Sequence, residues 1–394
     1  MSGKLASALR LAAINLAVLG LALAATNLAS WGILASYRGA RDGLRGAEPP
    51  APPLWELPNY GDVDRAYAEK IFSEFNGGIE TRYEPFIGWT RLPYRGITIT
   101  IDEAGDRVHP SPRPSRARGV VRFFGGSTMW GTGVDDRGTI PALFAAMNPG
   151  FEVHNHGETA YTSRQSLDRL INLIAAGEAI DLAVFFDGVN DVVQQCRRGI
   201  PVPGHSRVLQ IREALEALRP EAWYEPFVPL ARRLFVAHSV DLGQSVLRKL
   251  GLRQEEEPPG LYECSESPEK ARAVADNLIA TWRIAHTLVE AEGGELIALL
   301  QPSAHTGSPR VDHLERHLDP ELGREFAAVY PVIQERIREV GEPWIHDLTR
   351  AFDREDTGDQ FILIDDFHAT ANGNAIVARR VAALVGRETR SAGP

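Results

Sequence analysis

Cysteine, methionine and basic charge are all scarce in this chain, and the shortages narrow what it can do. Two cysteines among 394 residues cannot build an all-thiolate zinc site or a disulfide-dense scaffold, although they can form one bridge. Lys and Arg number 42 against 52 Asp and Glu, for a formal charge of −10. The chain therefore lacks the basic surface with which a general nucleic-acid binder displaces counterions. No internal repeat stands out. Hydrophobic residues make up 44%, which excludes a disordered or collagen-like chain and suffices for a sizeable core in one large or two ordinary domains.

Against those absences stands an apolar N-terminus. Residues 11–36 carry no charge, and about 20 apolar residues are enough to cross a bilayer as a helix. Lys4 and Arg10 precede the run and Arg38, Arg41 and Arg45 follow it, a near-balance that does not fix orientation. Ala22-Leu23-Ala24 has the form of a signal-peptide cleavage site. The apolar character continues through Trp31, Ile33 and Leu34, which favours an uncleaved transmembrane anchor within residues 1–45. Anchor or signal, the rest of the chain is exported. Residues 46–58 hold the proline cluster of a semi-rigid linker.

Beyond the linker, residues 62–75 have helical spacing, with Ala66, Ala68, Ile71 and Phe72 on one side. Residues 94–102 alternate in the period-2 manner of a strand, and Ala104-Gly105-Asp106 supplies a turn. Residues 59–118 thus read as an accessory helix and β-hairpin. From residue 119 to about 390, short apolar runs at 120–124, 151–155, 180–186, 295–301 and 344–348 alternate with helical patterns at 139–148, 163–176, 269–292, 320–340 and 372–386. That alternation predicts a parallel five-stranded sheet covered on both faces. Such sheets bind ligands outside the carboxyl ends of their strands. Residues 195–268 interrupt the pattern with amphipathic pieces at 208–218 and 228–250 and a Glu255-Glu256-Glu257 run. This stretch reads as an insertion over the site, a candidate lid.

The chemistry-bearing residues sit at those strand ends. Phe124-Gly125-Gly126-Ser127 puts a serine hydroxyl just after a buried strand, where glycine lets a ligand approach the backbone. An ordinary strand-to-loop turn has the same residues. Asp365 and His368, three apart, can meet so that the carboxylate orients the imidazole as a general base, which an unactivated serine requires. A solvated Asp and a helix-capping Asn372 read equally well from that fragment alone. Asn155-His156-Gly157 and Gly188-Val189-Asn190-Asp191 offer amide donors of the kind an oxyanion needs, but also ordinary turn chemistry.

Taken in order, Gly-Gly-Ser127, Asn-x-Gly157, Gly-x-Asn190-Asp and Asp365-x-x-His368 along one α/β pattern resemble the blocks of the SGNH hydrolases, the GDSL lipase/esterase superfamily. The resemblance covers residues 119–386. It implies a three-layer α/β/α flavodoxin-like fold, with Ser127 as nucleophile, His368 as general base and Asp365 as its orienting acid. It further implies an oxyanion hole from the Ser127 amide, the Gly157 amide and the Asn190 side chain. In one departure, Gly126 stands where the family has Asp, outside the triad. The hairpin before the first block is similar to a membrane-tethered bacterial subset.

Other features carry less. His313 and His317 are spaced i, i+4 without an evident third ligand, and read as a solvated face rather than a metal site. Trp130 reads as packing or as a pocket wall. Cys196 and Cys264 flank the insertion, and in an exported protein they are expected to pair. The expectation is a membrane-anchored, extracytoplasmic serine esterase acting on a small-molecule or polysaccharide ester, without metal or organic cofactor and without a nucleic-acid partner. An O-acyltransferase of polysaccharide assembly and a non-catalytic envelope module are the alternatives.

Overall fold

The computed structural model describes residues 2–45, 51–111, 114–217, 227–249 and 260–391. Part of the proline-rich linker and the Glu255-Glu256-Glu257 run lie outside the described residues. The chain divides into two compact units, one of Met1–Pro50 with Ile211–Pro259 and one of Ala51–Gln210 with Gly260–Pro394.

The larger unit is built on a five-stranded parallel sheet. In chain order its strands are β5 (Val120–Gly125), β6 (Glu152–Asn155), β7 (Leu182–Asp187), β8 (Glu295–Leu300) and β9 (Ile345–Asp347), arranged β6-β5-β7-β8-β9. All five lie at the apolar runs of the sequence. Because side chains alternate across a strand, Phe124, Phe185 and Ala298 join a core with α5 (Ser163–Ala175), α6 (Val189–Gln195), α10 (Pro268–Ala291) and α11 (Pro320–Val340). Phe123, Val184 and Ile297 join the opposite core, with α2 (Arg65–Asn76), α4 (Ile140–Met147) and α13 (Ala371–Ser391). Two cores, one on each face, make the three layers. The strand order is that of flavodoxin-like folds, whose switch point falls between the first and third strands, here β5 and β7. Two four-residue helices, α3 (Ser127–Trp130) and α12 (Arg354–Thr357), three short 3-10 helices and the start of α7 (Arg207–Ala217) also belong to this unit.

The accessory segment differs from the single hairpin expected. It holds β1 (Thr81–Glu84) paired antiparallel with β2 (Gly88–Arg91), and β3 (Tyr94–Arg95) paired with β4 (Thr100–Ile101). The alternating run 94–102 therefore folds back on itself instead of forming one strand. Its cause is Glu74 on α2, whose carboxylate accepts from the amides of Ile97, Thr98 and Ile99 and from the Thr98 hydroxyl. Those bonds gather three consecutive amides into a turn and hold Glu74 below the usual carboxylate range, although burial alone would raise it. Arg107, fully buried, then fastens this segment to the sheet domain. Its guanidinium pairs with Asp136 at 2.9 Å, donates to the carbonyls of Gly131 and Val134, and lies 4.4 Å from the Trp130 ring centroid. With Arg91 over Trp130 as well, Trp130 is a packing residue.

The smaller unit consists of α1 (Ser2–Arg45), most of α7 (Arg207–Ala217), α8 (Phe227–Phe235) and α9 (Ala237–Lys249). The expected 228–250 piece is thus two helices, broken at Val236, and both pack on α1. Within this unit, the partner of the insertion is the apolar N-terminal helix.

Candidate active site

Ser127 follows the carboxyl end of β5, Asn190 follows that of β7, and the loop bearing Asp365 and His368 precedes α13. The loop is closed by the Ile364 amide donating to the His368 carbonyl at 2.9 Å. It is braced by Asn59, whose Nδ2 donates to the carbonyls of Phe361 (3.0 Å) and Leu363 (2.7 Å). Asp366 pins its other side, accepting from the Asp319 amide at 3.0 Å and lying 2.7 Å from His305 Nε2. Thr370, not Asn372, caps α13, accepting from the Gly373 amide at 3.4 Å.

Held this way, His368 Nε2 lies 2.7 Å from Ser127 Oγ, and His368 Nδ1 lies 2.6 Å from Asp365 Oδ2. The second carboxylate oxygen, Oδ1, accepts from the amides of Phe367 (2.9 Å) and His368 (2.8 Å). Burial would raise the Asp365 carboxyl, but the imidazole charge, its hydrogen bond and these amides outweigh it and hold Asp365 below the ordinary range. An ionised Asp365 takes Nδ1–H as donor. Nε2 is then left with its lone pair toward the serine hydroxyl, the arrangement that removes a proton from Oγ.

Gly126, the departure in the first block, has a steric cause. A Cβ there would stand 2.1 Å from Asn190 Nδ2 and 3.3 Å from the Tyr161 carbonyl oxygen, so the Asn190 amide occupies the room that a side chain would need. Asn190 donates one Nδ2 hydrogen to that carbonyl at 2.8 Å, and the second hydrogen, on the nitrogen that crowds Gly126, meets no acceptor among the described residues. The Ser127 amide opens α3 and meets no acceptor among the described residues.

Gly157 is placed otherwise than expected. Its amide donates to Asn155 Oδ1 at 3.0 Å, and a Cβ at Gly157 would lie 2.5 Å from the Trp130 amide nitrogen. The glycine thus lets its loop close onto α3, with its N–H spent inside the loop. Asn155 completes the contact by donating to the Met129 carbonyl at 3.1 Å. A different backbone group lies one residue before Tyr161, whose carbonyl accepts from Asn190. Ala160 has φ +64°, in the left-handed region that non-glycine residues rarely enter, and its amide meets no acceptor among the described residues. Its carbonyl is held by His205 Nε2 at 3.1 Å. Burial pushes His205 down to about 4, so the imidazole is neutral and donates from Nε2 while Nδ1 accepts from the Arg207 amide.

Gln301 and Asp187 were not singled out from the sequence, and Asp191 was read only as part of the Asn190 block. Gln301, at the end of β8, donates to Thr128 Oγ1 and accepts from the Val189 amide at 3.2 Å, so it ties the residue after Ser127 to the residue before Asn190. Beneath Asn190, Asp187 and Asp191 are both buried. Asp191 gathers the Ser163 hydroxyl (2.6 Å), the Gln195 amide (3.0 Å) and the Gly188 amide (3.3 Å), and Asp187 accepts from Trp282 Nε1 at 3.0 Å. Their signal was present in the acidic residue after Asn190, but nothing in sequence distinguishes a buried aspartate from a turn aspartate.

His313 and His317 each face a backbone carbonyl, of Leu363 and Pro52 respectively, at 2.8 Å. Cys196 and Cys264 form a disulfide.

No family model matches the chain, and no curated protein does. Solved structures similar to it include an α/β hydrolase from the metagenome of Lake Arreo, Spain, at 15% identity over 69% of this chain and 96% of that one, with a TM-score of 0.36. A member of the lipolytic protein G-D-S-L family from Veillonella parvula DSM 2008 matches at 12% identity over 68% and 98%, TM-score 0.36. A catalytic mutant of an acetylxylan esterase from Geobacillus stearothermophilus matches at 14% identity over 67% and 92%, TM-score 0.34.

Proposed function

We propose that the chain is a serine esterase of the SGNH type. The observation that carries this reading is the unbroken relay from Ser127 Oγ through His368 to Asp365, with contacts of 2.7 and 2.6 Å. Ser127 Oγ attacks the ester carbonyl as His368 Nε2 takes its proton. The imidazolium, stabilised by Asp365, returns that proton to the leaving alkoxide, and an acyl-enzyme remains. Water, deprotonated by His368, attacks the acyl-enzyme and frees the acid and Ser127. The negative oxygen of each tetrahedral intermediate is met by the Ser127 amide and the free hydrogen of Asn190. Ala160, whose amide is unengaged, takes the third place that sequence assigned to Gly157.

The substrate we assign is an O-acyl group on a carbohydrate or another component of the cell envelope, reached by a domain that α1 tethers outside the cytoplasm. Two features support that location. Residues Ser7–Tyr37 are long and apolar enough to span a membrane, and the disulfide suits an oxidising compartment.

The test is hydrolysis of p-nitrophenyl acetate and butyrate by the full chain in detergent, beside Ser127→Ala. Turnover in the parent that falls at least 1,000-fold, to background, in the variant is the expected result, since the triad acts as a unit. Equal rates above background in both would remove Ser127 as the nucleophile.

A further inference from the structure

Asn27 is a polar residue well inside the apolar run, yet it is buried. Its carboxamide is wholly spent at one place. Nδ2 donates to the carbonyls of Arg233 (2.8 Å) and Leu234 (2.9 Å), and Oδ1 accepts from the amides of His238 (2.7 Å) and Ser239 (3.1 Å). Those four backbone groups are ones released where α8 stops at Phe235 and α9 starts at Ala237. Ser30 Oγ adds a contact to Ser239 Oγ at 3.4 Å. On the other side of Asn27, Leu19, Gly20 and Leu23 share a groove with Ala231, Phe235 and Val236. Residue numbers rise together along both partners, so the broken helix α8–α9 runs parallel to α1.

Depth follows from this register. Asn27 is ten residues short of Tyr37, the end of the apolar span, or about 15 Å at 1.5 Å per residue. In a hydrocarbon layer of about 30 Å that is near the middle. A helix that crosses the bilayer carries with it whatever is docked on its mid-span. A lone carboxamide and an interrupted helix are each costly in hydrocarbon, and irregular backbone is tolerated there only where protein satisfies it. Asn27 and the α8–α9 break satisfy each other. Around them, Leu230, Leu234, Val240 and Val246 are about half exposed, beside the exposed leucines of α1.

We propose that α8 and α9 are inserted in the lipid bilayer alongside α1, with acyl chains covering the apolar face. The proposal rests on α1 being a retained anchor. Its charges must also be placed. Arg232 borders the same groove as Leu16 and Leu19, and Leu16 is six residues, about 9 Å, from Arg10. A guanidinium there is within snorkelling reach of the headgroups at that end, and Arg233 is its neighbour. Asp241 and His238 lie on the Tyr37 side of the break.

The test uses the full chain in nanodiscs. Both native cysteines are paired, so single introduced cysteines can carry an environment-sensitive fluorophore at Leu230, Leu234 or Val240. Leu19 serves as the anchor reference and Ile284, exposed on α10, as the aqueous one. Lipids with brominated acyl chains should quench the Leu234 and Val240 probes at least half as strongly as Leu19, with Ile284 unaffected. Quenching at Leu19 with none at the three insertion positions would overturn the proposal and leave the anchor standing. Insertion probes that are shielded from water yet unquenched would overturn it in favour of a protein partner. Loss of the Leu19 probe from the mature chain would overturn the anchor and the proposal together. Asn27→Leu should lower quenching at Leu234 at least two-fold while that at Leu19 is unchanged; equal quenching at Leu234 in both backgrounds would remove Asn27 from the docking.

Discussion

Gly126 and Asn190 are best understood as one steric unit. The Asn190 amide nitrogen fills the place where a side chain at 126 would begin, so the departure from Gly-Asp-Ser and the position of the proposed oxyanion donor have a common cause. Two outcomes follow at this scale. Asn190→Ala removes one donor and should lower kcat on p-nitrophenyl acetate by roughly 100-fold or more, the usual loss for a single oxyanion-hole donor; unchanged kcat would take Asn190 out of the hole. Gly126→Asp gives the first block the form Gly-Asp-Ser but forces Asn190 aside, so it should cost a similar factor in kcat, about 100-fold. Retained activity would mean that Asn190 has another productive position. Single residues were also where sequence reading was weakest. The contacts among Ser127, Asp365 and His368 lie where the sequence motifs put those residues together, and the proposed relay rests on them. Gly157 drew attention as a glycine amide, whereas its use is close packing against Trp130. Ala160 gave no sign, because a left-handed φ of +64° at an alanine is imposed by tertiary contacts.

Among the elements, the five parallel strands were readable because a strand buried on both faces is a near-continuous apolar run. Of β1 to β4, only β3 and β4 fall in a run that reads as strand, 94–102, and the fold-back between them was not legible. The four segments are two to four residues long, and the β3–β4 turn is set by Glu74 on a different element. The break between α8 and α9 was likewise invisible, its cause being Asn27, 206 residues from Arg233. At the carboxyl end of β7, burial and the neighbouring Asp191 carboxylate push Asp187 up to about 8. Its folded pKa thus lies above the ordinary carboxylate value near 3.9. The stability that Asp187 supplies when protonated is fully present below about pH 4 and is lost as pH rises through about 8. Urea unfolding between pH 5 and pH 9 should therefore show the parent losing stability relative to Asp187→Asn, which cannot ionise. Parallel pH profiles for the two proteins would mean that Asp187 is not protonated in the folded state.

For the whole molecule, the decisive link is the disulfide at the root of the insertion. Cys196 and Cys264 are 68 residues apart, and both are buried in the core shared by α6, α10 and α11. The bridge closes the loop that leaves the sheet domain at α6 and returns before α10, so the domain's own packing is sealed independently of what α7, α8 and α9 do. In the chain-entropy description, closing a loop of this length restricts the unfolded state by roughly 4 kcal/mol. Replacing both cysteines by serine should thus lower the unfolding free energy of the sheet domain by about that amount, read from denaturant midpoints at constant slope. Neither residue touches Ser127, His368 or Asp365, so kcat on p-nitrophenyl acetate at 25 °C should stay within about two-fold of the parent under native conditions. Unchanged stability would show that the insertion's ends are held by core packing without the crosslink. A large fall in kcat with the fold intact would instead mean that the root of the insertion positions the catalytic groups, a coupling for which the relay geometry gives no reason.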